Sequence, residues 1–119
     1  MDFKALVERA KEIRKLYAAS DEKRIGKEWP RGEYVKAFVG DVGALVKLTQ
    51  AKEGFREIEN IDERLSHEFG DILWAVVMLA EMYGIDLEKS FMDTMDELEK
   101  RASKGSLAKT QARSGIVDR

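Results

Sequence analysis

Glu68 and Asp71 stand three residues apart in a stretch of strong helical character, so their carboxylates share one helix face. Asp71 abuts the longest apolar run in the chain, Ile72 to Ala80, which sets its charge at a partly dry boundary. An unpaired charge in such a place is unfavourable by several kcal/mol unless a cation, a base or a proton compensates it. A third acid, Asp41, lies between Gly40 and Gly43 further upstream, and Gly70 sits beside Asp71. Glycine inside a helix costs roughly 1 kcal/mol relative to alanine, so these glycines predict the close approach of two helices. Packed together, those helices bring Asp41, Glu68 and Asp71 into one all-oxygen cluster. Oxygen donors without His or Cys select a hard cation, and Mg²⁺ commonly completes its shell with water and substrate phosphate. The chemistry that suits such a cluster is hydrolysis of a phosphoanhydride.

The elements that must position these groups are helical. A single proline, little β-branched alternation and charged residues interleaved with Leu, Ala and Met predict an all-α domain. Phe3, Leu6, Val7, Ala10, Ile13, Leu16 and Tyr17 recur at three- and four-residue steps and predict a first helix from Asp2 to Ala19. Gly26, Pro30 and Gly32 then mark a loop that holds an apolar outlier, Trp29. A second helix is predicted over Glu33 to Lys52, with Tyr34, Phe38, Val42, Leu45 and either Leu48 or Thr49 as its stripe. Asn60 and Glu63 have capping-box spacing, which starts a third helix near Ile61 and carries it to Tyr83. Gly84 supplies a left-handed cap and Asp86 the N-cap of a fourth helix bearing Leu87, Phe91, Met95 and Leu98, so helices three and four form a tight hairpin. The domain is expected over residues 1–101, and residues 102–119 read as a polar tail. The run ILWAVVMLA is apolar on every side of its helix, and three other helices of this length do not easily encircle it. Two copies are therefore expected to complete the bundle as a homodimer or a dimer of dimers.

Composition excludes several other roles. A formal charge of −2 gives no global field for nucleic-acid polymers or anionic lipid. The absence of cysteine removes disulfides, thiolate nucleophiles and sulfur-based zinc sites, and fits an intracellular, cytoplasmic setting. The N-terminus MDFKALVERAKEIRKL has charges every few residues and no signal-peptide core. The nine-residue apolar run is about half of the ~20 residues a membrane span needs.

Taken in order, these residues resemble the MazG-like superfamily of all-α nucleoside triphosphate pyrophosphohydrolases. That pattern has an E-x-x-E pair on one helix, an E-x-x-D pair on the next, an apolar run, a G-I-D-L turn and a final helix. Glu68-Phe69-Gly70-Asp71 matches the second pair, ILWAVVMLAEMY fills the apolar run, and Gly84-Ile85-Asp86-Leu87 matches the turn. The segment KEWPRGEYVKAFVGDVGALVKL is similar to the Trp-containing loop and first acidic helix, so the resemblance covers residues 25 to 101. The chain departs from the pattern at the first pair, which reads Asp41-Val42-Gly43-Ala44, and on the last helix, where Thr94 and Leu98 replace a Lys and an Asn; Arg101 keeps a basic position.

The resemblance implies conversion of a nucleoside triphosphate to the monophosphate and pyrophosphate, with a metal-activated water attacking the α-phosphorus. Within it Asp41, Glu68 and Asp71 are the Mg²⁺ ligands and catalytic carboxylates, directly or through water. Trp29 is expected either to stack a base or to plug the end of the bundle, and Lys27, Arg31 and Lys47 to meet phosphates. Ala44 opens an alternative: a catalytically degenerate bundle that binds nucleotide or a protein partner. A ligand-free structural dimer is a third reading, and it leaves Gly40, Gly43 and Gly70 without a reason. His67 points about 100° around the helix from Glu68 and reads as a surface or interface residue. Asp93, Asp96, Glu97 and Glu99, and the loop acids Glu53, Glu57 and Glu59, read as solvated.

Overall fold

The computed structural model describes residues 2–27 and 29–105 and contains four helices: α1 (Phe3–Ile25), α2 (Arg31–Lys52), α3 (Ile61–Met82) and α4 (Leu87–Ser103). No strand occurs among the described residues, so the expected all-α class holds. Among these helices none is long and apolar enough to cross a membrane. The chain divides into two compact units, with α1 to α3 in residues 1–85 and α4 in the unit that begins at Asp86.

α1 starts at Asp2, whose carboxylate accepts the Ala5 N–H at 2.9 Å, and runs six residues beyond the predicted end at Ala19. Ser20 to Arg24 lack apolar periodicity, but Glu, Lys and Arg are good helix formers, and Asp21 pairs with Arg24 one turn on at 2.5 Å. The helix stops at Gly26, which adopts φ +81° and returns its N–H to the Glu22 carbonyl. Ala10 is buried, whereas Leu16 and Tyr17, expected on the same inward face, are exposed.

α2 and α3 lie antiparallel, tied at both ends. At one end the Arg31 Nη1 donates to the Met82 carbonyl at 3.2 Å while the guanidinium sits 4.7 Å from the centre of the Tyr83 ring. At the other, the Lys52 ammonium meets Asp62 at 2.5 Å. Leu48 on α2 and Val77 and Met78 on α3 are buried in this unit's core. In the stripe of α2 the open position falls to Leu48, which is buried while Thr49 is exposed, and the departure from expectation is at Val42, which faces out while Asp41 turns inward. That rotation leaves a second apolar face, Val35, Val39, Val42 and Val46, exposed.

The capping box at Asn60 does not form. Asn60 sits in the left-handed region at φ +55° and makes no side-chain cap bond, because a residue so placed cannot aim its side chain at its own helix's first turn. The Gly84 expectation holds: Gly84 (φ +70°) donates to Glu81 and Ile85 donates to Ala80, the two bonds of a Schellman ending. Asp86 caps α4 by accepting the Lys89 N–H at 3.1 Å. α4 runs two residues past Arg101, and its acids Asp93 and Glu97 pair with Lys89 and Arg101 on an exposed face. Residues 106–119, most of the expected tail, lie outside the described residues.

The role assigned to the glycines is overturned. A Cβ added at Gly40, Gly43 or Gly70 meets nothing within 4 Å, so none of the three thins the α2–α3 contact. All three lie on exposed surface. Asp41 comes within electrostatic reach of Glu68 and Asp71 through the register of α2 and α3, not through missing side chains.

Candidate active site

The antiparallel register of α2 and α3 brings Asp41 and Asp71 to the walls of one cleft and Ala44 and Glu68 to the walls of another. The three expected carboxylates therefore stand along a single seam between the two clefts. Burial, followed by the charge of Asp71, holds the Asp41 carboxyl above its ordinary range. Burial raises Glu68 as well, with Asp41 and then Asp71 adding to the effect and His67 opposing it. Like charges in a partly dry seam disfavour ionisation in this way.

Glu68 Oε2 is buried and has no hydrogen-bond partner among the described residues. An orphaned carboxylate oxygen in a field of like charge is a position where a cation would be stabilised. Among the described residues no group of three or more His, Cys, Asp or Glu side chains is arranged so that it could hold a metal ion. The donor set suits an ion that takes one or two carboxylates and fills the rest of its shell with water and phosphate, which is the habit of Mg²⁺.

The first cleft, of about 360 Å³, is aromatic. Trp29 and Tyr34 pack with ring centroids 5.7 Å apart, and Tyr17 and Trp74 with centroids 5.8 Å apart; all four line the cleft beside Asp41 and Asp71. Trp74 is fixed by its indole N–H, which donates to the Ala10 carbonyl at 3.1 Å. Asp21, itself buried, and Arg24 close the α1 side. The second cleft is an open groove of about 550 Å³ between the C-terminal half of α2 and the residues leading into α3. Lys47, Arg64 and His67 line it together with Glu68.

The residues singled out in the sequence thus separate. Asp41, Glu68 and Asp71 lie within electrostatic reach of one another, Trp29 lines the cleft of Asp41 and Asp71, and Lys47 shares a groove with Glu68. Arg31 is engaged at the C-terminal end of α3, eleven residues and so about 16 Å along the helix from Asp71. Lys27 is exposed and lines neither cleft. Tyr17, Asp21, Tyr34, Arg64 and His67 were not read as site residues. Of these, Arg64 and His67 had a legible signal, since Arg64 stands four residues before Glu68 and His67 four before Asp71 on shared helix faces. His67 Nε2 lies 3.3 Å from Asp71 Oδ2.

The MazG nucleotide pyrophosphohydrolase domain matches residues 45–106, just over half of the chain. That match contains Glu68, Asp71 and the Gly84–Leu87 turn, and begins one residue after Ala44. No curated protein matches the chain. No solved structure matches it either. The helical architecture and the domain match agree, and the chain belongs to the MazG nucleotide pyrophosphohydrolase domain family.

Proposed function

We propose that this protein is a Mg²⁺-dependent nucleoside triphosphate pyrophosphohydrolase, releasing a nucleoside monophosphate and pyrophosphate. The observation that carries this reading is the seam of Asp41, Glu68 and Asp71, with Glu68 Oε2 buried and unpartnered among the described residues. Those three carboxylates would hold the cation. Bound there, Mg²⁺ supplies charge neutralisation for phosphate and a water of lowered pKa. The chain's own residues do the rest of the positioning. Trp29 and its neighbour Tyr34 offer aromatic faces to a base in a cleft that also contains Asp41 and Asp71. Lys47 lies beyond Glu68 on the phosphate side.

The working form is a homo-oligomer, a dimer or a dimer of dimers. Val35, Val39, Val42 and Val46 form an exposed apolar stripe on α2, and Phe69 and Leu73 are exposed on α3. Apolar stripes of this kind on a small protein mark interaction surfaces.

Pyrophosphate release from canonical and modified nucleoside triphosphates, with and without Mg²⁺, tests the reading. Turnover that requires Mg²⁺ and yields monophosphate supports it. Absence of turnover with every nucleotide favours the second reading, a degenerate bundle that binds nucleotide or a protein partner. One observation supports that second reading: Ala44 sits in the wall of the groove beside Glu68, where the first acidic pair would place another carboxylate. Restoring an acid with Ala44→Glu separates the two, since a large gain in hydrolysis marks a weakened enzyme and no gain marks a binding module.

A further inference from the structure

Among the described residues Asp21 is the one charged residue that is buried, at 7% exposure, and the hydrolytic reading gives it no role. Its partner does not account for its burial. Arg24 Nη2 donates to Asp21 Oδ1 at 2.5 Å, but the Arg24 side chain is 64% exposed. An i, i+3 pair of this kind forms equally well on the outer face of a helix, without the desolvation that a buried carboxylate suffers. Asp21 is not among the charges that raise Asp41, so it stands outside the carboxylate seam. What surrounds it is the aromatic cleft, which Asp21 and Arg24 line together with Trp29, Tyr34 and Trp74. Among the described residues no hydrogen bond or ion pair takes Asp21 Oδ2, and that oxygen is not sealed in the interior. A carboxylate oxygen left open in the wall of a cleft of flat rings is an acceptor suited to an N–H at the edge of a flat ligand.

We infer that Asp21 is a specificity-determining residue that reads the exocyclic amine of a base held in the aromatic cleft, with Arg24 donating to the neighbouring ring nitrogen. The assignment rests on the reading of that cleft as the base site of a nucleotide. It names the substrate class as nucleotides whose base carries an amine beside an unprotonated ring nitrogen, as cytosine and adenine do. That edge, donor beside acceptor, complements one open carboxylate oxygen beside a guanidinium. Uracil and hypoxanthine reverse it: a carbonyl oxygen replaces the amine, and the ring nitrogen carries a proton. The carbonyl then meets the carboxylate and the ring N–H meets the guanidinium, acceptor against acceptor and donor against donor. A site built to hydrogen-bond a donor rejects the analogue that lacks it, because its own buried polar group is left unpaired.

Calorimetric titration with the α,β-imido analogues of CTP, UTP, ATP and ITP in Mg²⁺ reads recognition apart from turnover, since the α–β bridge is not cleaved. In at least one of the two pairs, CTP with UTP or ATP with ITP, wild-type protein binds the amine-bearing member about 10- to 100-fold more tightly, the value of one hydrogen bond to a charged group. Asp21→Asn keeps the side chain's size and removes its charge, and the preference collapses or reverses because the amide also donates to a carbonyl. Asp21→Ala brings the ratio close to one. A carboxylate with only a structural role would weaken both members alike and leave their ratio as in wild type. A wild-type ratio near one in both pairs overturns the inference, as does a ratio that persists in both variants or a failure of all four analogues to bind. If the preference follows Asp21 while no triphosphate is hydrolysed, the inference stands and the hydrolytic reading fails. If triphosphates are hydrolysed while binding ignores the exchange of amine for carbonyl, the reverse holds.

Discussion

Glu68 on α3 is held above the ordinary carboxylate range first by its burial and then by Asp41, which reaches it from α2 across the helix seam. Asp41 is raised in turn by burial and by Asp71. Such an arrangement works against the metal-free fold. A carboxyl whose pKa is higher folded than unfolded stabilises the protein below the unfolded value and loses that contribution as pH rises through the folded value.

Replacing Glu68 by Gln is therefore expected to raise the melting temperature of the metal-free protein at pH 7. The gap from wild type should narrow as pH falls through the carboxylate range and Glu68 takes up its proton. Thermal melts across that range check the sign. The same variant should lose at least about 100-fold in kcat/KM, since even outer-shell changes at metal sites cost 10–100-fold.

Trp29→Ala is expected to raise KM for the nucleotide by about 5- to 100-fold with little change in kcat, because stacking on a base contributes about 1–3 kcal/mol. Trp29→Phe keeps a stacking face and should recover most of the loss. Steady-state kinetics with one nucleotide at several concentrations separates KM from kcat.

Arg31→Ala tests a structural tie. The guanidinium bridges the Met82 carbonyl and the Tyr83 ring, far along α3 from the carboxylates. Its removal should cost about 1–2 kcal/mol of stability, from one exposed cation–π contact and one hydrogen bond. Denaturant unfolding checks that value, and kcat should stay as in wild type; a large fall in kcat/KM would return Arg31 to the phosphate role first expected of it.

Val39→Asp puts a charge in the middle of the exposed α2 stripe. The expected outcome is dissociation to monomer in sedimentation analysis, with Val39→Ala leaving the oligomer intact, because burying an unpaired carboxylate at an interface is strongly unfavourable.

The parts of the site legible in the sequence were those fixed by helix periodicity. Glu68 and Asp71 share a face at any α-helical geometry, and the loop after Lys52 returns α3 antiparallel to α2, so Asp41 comes within electrostatic reach of both. The Gly84–Asp86 punctuation was equally local and equally readable. What the sequence obscured depended on contacts between elements. The extension of α1 to Ile25 rests on charged helix formers and on a buried Asp21, which carry no apolar rhythm. Asn60 has the spacing of a cap but adopts a left-handed backbone that prevents it from acting as one. Gly40, Gly43 and Gly70 suggested a tight helix contact, yet the rotation of α2 that turns Asp41 inward leaves Gly40 and Gly43 exposed, and Gly70 is exposed on α3. The aromatic cleft was hidden for a related reason: Tyr17, Trp29, Tyr34 and Trp74 come from α1, a loop, α2 and α3 and share no sequence pattern.

The seam itself is tested most directly by calorimetric titration of Mg²⁺, without nucleotide, into wild-type protein and into Asp41→Asn and Glu68→Gln. Saturable binding by the wild type, weakened at least about tenfold in each variant, is the expected result. Binding that is unchanged in both variants, or no binding by the wild type, would contradict a cation held between α2 and α3.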